Sequence, residues 1–126
     1  MALLEVNDLK MYYRTARGHV RAVDSVSFEI EQVKALGIAG ESGCGKTSMA
    51  TALLRLLPSN GAYHGGSVVM QGKELLTMSE EQFRKDIRWK RISMIFQGAM
   101  NALNPVHRVG EQIVEAILHH EDLSRE

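Results

Sequence analysis

Hydrophobic and polar positions alternate early in the chain and then change period. Leu4 and Val6, and after them Tyr12 and Tyr13, flank a polar stretch that reads as a turn region; Gly18-His19 marks a second turn. Between Val26 and Ile30 the alternation is clean, with Val26, Phe28 and Ile30 on one side and Ser27 and Glu29 on the other. This pattern predicts a pair of antiparallel, half-exposed strands. Ala35-Leu36-Gly37-Ile38-Ala39 is instead a short continuous apolar run, as in a strand covered on both faces. Beyond a glycine-rich stretch, Ala50, Leu53, Leu54 and Leu57 recur at i, i+3, i+4 and i+7. They form one apolar helix face, ended by Pro58-Ser59-Asn60-Gly61.

Gly65-Gly66 is read as the opening of a further strand, Ser67 to Met70, closed by a Gln71-Gly72-Lys73 turn. Ser79-Glu80-Glu81-Gln82 has capping-box spacing and predicts a short helix with Glu80/Arg84 and Glu81/Lys85 at i, i+4. Ile92 to Phe96 predicts a buried strand, followed by a loop through Pro105. Ile113, Val114, Ile117 and Leu118 predict a last amphipathic helix. The order is that of an α/β chain with an antiparallel β front end.

Composition changes this picture little. The 126 residues suffice for one compact domain, and 44% hydrophobic with 24% charged residues is ordinary for a globular chain. Fifteen basic residues balance fifteen acidic ones, so the sum shows no nucleic-acid footprint, and no nucleic-acid partner is expected. No apolar run approaches the roughly 20 residues of a membrane span. The start, Met1 to Glu5, does not resemble a signal peptide. The single cysteine, Cys44, excludes an internal disulfide and fits a reducing compartment. The expected location is cytosolic.

The chemistry lies in Gly40-Glu41-Ser42-Gly43-Cys44-Gly45-Lys46-Thr47, which fits G-x-x-x-x-G-K-[ST] without a mismatch. Glycines let the backbone wrap closely with successive N–H groups turned inward. A helix starting near Gly45 aims its positive end at the same anion. Lys46 then brings a full charge to the β- and γ-phosphates of a nucleoside triphosphate, and the Thr47 hydroxyl is placed to ligate Mg²⁺. An apolar run before and an amphipathic pattern after supply the context that a chance match lacks. The dinucleotide fingerprint would need glycine where Ser48 stands.

Taken with this loop, Ile92-Ser93-Met94-Ile95-Phe96-Gln97 resembles the strand leading into the Q-loop glutamine of ABC-type ATPases. Gly98 to Val106, with Asn104-Pro105-Val106, and Val109-Gly110-Glu111-Gln112-Ile113 are similar to the ATPase subunits of oligopeptide and dipeptide ABC importers. The resemblance runs from about Leu4 to the last helix. It implies an ABC-type P-loop core behind an antiparallel part. Residues 1–34 would be the antiparallel part, 35–97 the P-loop core, and 98–126 the Q-loop and the start of a helical subdomain, with the chain ending before that subdomain is complete.

The resemblance further implies that Tyr13, or alternatively Tyr12, stacks on adenine. Ser48 would lie near the α-phosphate, and Gln97 would sense the γ-phosphate through Mg²⁺ or water, near the membrane-subunit contact. Implied partners are transmembrane permease subunits, a second ATPase subunit and, indirectly, a substrate-binding protein, at the cytoplasmic face of the membrane. ATP and Mg²⁺ are the implied cofactors, and peptides or sugar oligomers the implied cargo.

Two features depart from the family pattern. Val33-Lys34 stands where Gly-Glu is usual, so a turn needing positive φ would strain Val33. No segment resembles Leu-Ser-Gly-Gly-Gln, and no strand leads to a catalytic glutamate or a switch histidine. The implied activity of this chain alone is to bind Mg-ATP without turning it over, and the strand at Ala35 would have an exposed edge. A non-catalytic nucleotide-binding module and a soluble, non-transport ABC ATPase are the competing readings. Cys44 reads as a small loop residue whose thiol is open to alkylation. His107, His119 and His120 read as surface residues and the methionines as core filler.

Overall fold

The computed structural model describes residues 1–121, which form two compact units, Met1–Glu80 and Glu81–Glu121 among those described. The first unit is built on two long strands, β1 (Ala2–Thr15) and β2 (Gly18–Glu31), joined by a tight turn. With β3 (Gly61–Met70) and the short β4 (Lys73–Glu74) they make an antiparallel sheet in the order β2-β1-β3-β4. Helix α1 (Lys46–Leu53) lies between β2 and β3 in sequence.

The polar stretch expected as a turn in the first strand is a bulge within a continuous β1. Leu4 and Val6 are buried, then Leu9 and Met11, so the inward phase slips by one residue between Val6 and Leu9. Asp8 absorbs the slip at φ 47°, and its N–H donates to Ser27 Oγ at 2.8 Å. Gly65-Gly66 is correspondingly interior to β3, not its opening. At Gly66, φ is 90°, and a Cβ would run into the backbone of Asp8 and Leu9. The glycine is what lets β3 close against the bulge. The expected alternation from Val26 to Ile30 is borne out, with Val26, Phe28 and Ile30 half-buried and Ser27 and Glu29 exposed.

Ala35 to Ile38 does not form the expected strand. Residues 34–41 pair with none of the described strands, and Leu36 and Ile38 are 45% and 49% exposed. An apolar run of this kind becomes a strand only when neighbours satisfy its backbone and cover its faces. The described sheet is wholly antiparallel and offers it neither. The Ile92–Phe96 strand is absent for the same reason, apart from one bridge between Arg88 and Ile92.

Helix α1 is shorter than its apolar repeat. Its buried residues are Met49 and Ala52, followed by Leu54 at the C-cap, so the face expected at Ala50, Leu53, Leu54 and Leu57 is rotated. Arg55 stops it by taking φ 53°. Its N–H donates to Ala52 O while that of Leu56 donates to Thr51 O, the paired bonds of a Schellman termination without its usual glycine. The Arg55 guanidinium offsets this by donating to Met78 O at 2.7 Å and pairing with Glu80 at 3.5 Å.

The second unit holds α2 (Glu80–Asp86, beginning with the last residue of the first), a 3-10 turn (Ala99–Asn101) and α3 (Val109–His120). α2 starts directly after Ser79, as the capping-box spacing predicts. Phe83 and Ile87 are buried, whereas Ile113, Val114 and Ile117 on α3 are exposed.

Candidate nucleotide-binding site

The glycine-rich loop and the first turn of α1 bring the predicted phosphate-contacting residues together. Gly43 and Gly45 take φ 81° and 100°, so the loop depends on conformations that L side chains rarely adopt. Gly45 is also the N-cap of α1 and lies on the β2 backbone, where an added Cβ would strike the Ala22 carbonyl oxygen. The helix start is thereby seated on the sheet. A Cβ on Gly40 would meet the Cys44 sulfur, so the loop closes on itself at that point too.

The first turn of α1 has no side-chain cap and no acidic residue. Its leading N–H groups therefore have no side-chain acceptor, and the positive end of the helix dipole is not neutralised locally. Lys46 folds back over the loop. Its Nζ donates to Gly40 O at 2.6 Å and Glu41 O at 2.7 Å, with Cys44 Sγ at 3.5 Å. The cationic head is thus carried by carbonyls of the loop that holds it, and no carboxylate among the described residues pairs with it. Those carbonyls are neutral partners that an incoming anion can replace. Thr47 is exposed beside it, and Glu41, Ser42, Gly43 and Cys44 are exposed along the loop. This donor set fits a polyphosphate: amides, one ammonium and hydroxyls, on a loop where Gly40 and Gly45 leave no room for a side chain.

The two tyrosines at the end of β1 diverge. Tyr12 Oη donates to Asp24 at 2.6 Å, its ring stacks on His64 at 4.5 Å between centroids, and Arg21 lies over it. The Asp24 carboxylate holds the Tyr12 phenol above its ordinary range, because ionisation would sacrifice that bond. Tyr13, half-buried on the other side of the strand, turns to α1, its hydroxyl 2.8 Å from Ser48 Oγ. Tyr63 joins it there by donating to Ala52 O. Tyr13 and Ser48 therefore belong to the loop-helix constellation, and Tyr12 does not.

Gln97 belongs to the second unit, where it is exposed at the turn before Ala99. That unit contains a contact the sequence did not single out. The Gln112 side chain accepts from Asn104 N–H at 2.9 Å and donates to Asn104 O at 3.0 Å and His107 O at 3.1 Å. Asn104 Oδ1 accepts from Val106 N–H at 3.0 Å, an Asx turn around Pro105. The Asn104-Pro105-Val106 and Gln112-Ile113 segments are visible as motifs in the sequence. Their common purpose, one amide clamping a loop onto α3, shows only in the folded chain.

A glycine loop seated on an antiparallel sheet and opening an uncapped helix under a lysine presents a set of donors that suits an anion. Comparison with known proteins gives the chain's family. The ABC transporter family pattern matches residues 23–125, and the chain belongs to that family. It is 46% identical, over 98% of its length, to a probable peptide ABC transporter ATP-binding protein of Sinorhizobium fredii, of which it covers 37%. It is 44% identical, over 98% of its length, to the oligopeptide transport ATP-binding protein OppD of Escherichia coli, covering 36% of it. A dipeptide transport ATP-binding protein of Lactococcus lactis is 41% identical over 94% of the chain, which covers 34% of that protein. The chain thus spans little more than a third of the length of these relatives.

Proposed function

We propose that this chain is the phosphate-gripping part of the ATP-binding subunit of an ABC importer for peptides or related oligomers. The observation that carries the proposal is Lys46, held by the Gly40 and Glu41 carbonyls above an uncapped helix start. When a triphosphate enters, the ammonium exchanges those carbonyls for β- and γ-oxygens, while the amides from Gly43 to Ser48 bind the same anion. The Lys46 bonds are charge-assisted before and after the exchange, and the phosphate adds the attraction of an opposite charge.

Thr47 is the proposed protein ligand of Mg²⁺, which would supply positive charge to the phosphates. Tyr13 would present its ring to adenine, and Ser48 its hydroxyl to the α-phosphate. The proposed setting is the cytoplasmic face of the cell membrane, with permease subunits, a second ATPase subunit and, through them, a substrate-binding protein. It is argued from the likeness to ATP-binding proteins of peptide and oligopeptide transport.

For this stretch by itself we propose binding without turnover, since its sequence has no segment resembling Leu-Ser-Gly-Gly-Gln. Titration with a fluorescent ATP analogue and Mg²⁺ tests the binding, with Lys46→Ala expected to weaken it at least about tenfold. Equal affinity of the two proteins would overturn the proposal. A single-turnover assay with radiolabelled ATP tests the second half, and phosphate release by the pure chain would contradict it.

A further inference from the structure

We propose that Ser48 is a positioning residue for the nucleobase: through its hydroxyl bond to Tyr13 it couples the base end of the site to the phosphate end. The inference rests on the nucleotide reading above and adds a role for the Tyr13–Ser48 pair that this reading does not contain. Tyr13 lies near the end of β1, where a ring turns about two side-chain bonds. A flat base needs that ring held in one orientation. The phenol is tied at 2.8 Å to a hydroxyl in the first turn of α1, the same turn whose leading amides have no side-chain cap. Tyr12 cannot substitute, because its hydroxyl is taken by Asp24 and its ring by His64.

The proton count gives the pair a direction. Each hydroxyl has one proton, so only one of the two can donate within the pair. The phenol is the more acidic partner and the better donor. If Tyr13 donates to Ser48, the Ser48 proton is left for an anion oxygen at the helix start. An anion accepting from Ser48 makes its oxygen a stronger acceptor for Tyr13, because hydrogen bonds in a chain polarise one another. Phosphate binding therefore tightens the hold on the ring, and a held ring lowers the ordering cost of stacking a base. Without Ser48 Oγ the ring regains its rotation, and a base gains less from it.

The test compares ATP with inorganic tripolyphosphate, which has the phosphates and no base, both with Mg²⁺. Ser48→Ala is expected to reduce the preference for ATP over tripolyphosphate about three- to tenfold, the worth of one hydrogen bond. Tyr13→Phe, which keeps the ring and removes the tether, should reduce the preference similarly. The double variant should lose no more than either single one, and Ser48→Thr should restore the preference. An unchanged ATP-to-tripolyphosphate ratio in Ser48→Ala, or additive losses in the double variant, would overturn the proposal. Lys46→Ala separates the two levels of the argument. If it leaves tripolyphosphate binding intact, the nucleotide reading fails; if it abolishes that binding while Ser48→Ala leaves the ratio unchanged, only the coupling fails.

Discussion

Gly45 stands on the carbonyl oxygen of Ala22, so α1 begins where β2 leaves no room for a side chain. The same residue takes φ 100°. Two independent constraints therefore fall on one position, and Gly45→Ala is expected to lose at least about 2 kcal/mol. Gly43→Ala meets open space and bears only the left-handed strain, so about 1 kcal/mol is expected there. Urea unfolding of both variants checks the order, and equal midpoints would show that the Ala22 contact is unimportant.

Val33 is the β-branched residue at a turn that asks for glycine. It has φ 62° and is fully exposed, and Lys34 N–H closes the turn onto Glu31 O at 3.2 Å. Val33→Gly relieves about 1–2 kcal/mol of left-handed strain and gives back about 0.5–1 kcal/mol in unfolded-chain entropy. A net gain of about 0.5–1 kcal/mol is expected, read as a higher urea midpoint. A lower midpoint would mean that the valine has a compensating contact.

Gln112 holds Asn104 by both of its backbone groups. Gln112→Leu should leave α3 formed and free the loop, with the Asn104 amide exchanging its hydrogen at least about tenfold faster. Gln112→Glu keeps the acceptor for that amide and loses both donated bonds, so an intermediate rate is expected. Site-resolved hydrogen exchange distinguishes the three proteins.

Cys44 is the exposed free thiol of the loop, with its sulfur over Gly40 and 3.5 Å from Lys46 Nζ. A group added to that sulfur occupies the space where phosphates would enter. Treatment with N-ethylmaleimide is expected to reduce ATP-analogue binding at least about tenfold, as loss of the Lys46 contact would. Saturating Mg-ATP should slow the labelling. Equal labelling rates with and without nucleotide would contradict the placement of the anion.

Much of this was legible in the chain because it depends on local rules. The loop from Gly40 to Thr47 needs a fixed spacing of glycines, lysine and hydroxyl, and that spacing survives in one dimension. Val26 to Ile30 alternates because a half-exposed strand must. The strain at Val33 could be anticipated because a single residue type, glycine, is at ease in a left-handed turn. Other features were not legible, since they are set by partners distant in sequence. Gly65-Gly66 looks like the start of a strand until Asp8 is placed opposite it, and Arg55 hides a helix end because glycine is the expected residue there.

Residue order alone was enough for the Gly40–Thr47 loop motif, the antiparallel front end and the family resemblance. Each follows from residue type and spacing, which the chain carries whatever its partners. The folded chain settles which tyrosine faces α1, because adjacent residues of a strand point to opposite sides and the bulge at Asp8 fixes the phase. It also decided that Leu36 and Ile38 stay unpaired. A buried strand is a property of its neighbours: its backbone bonds and its cover must come from other segments, and no apolar run can supply them from within.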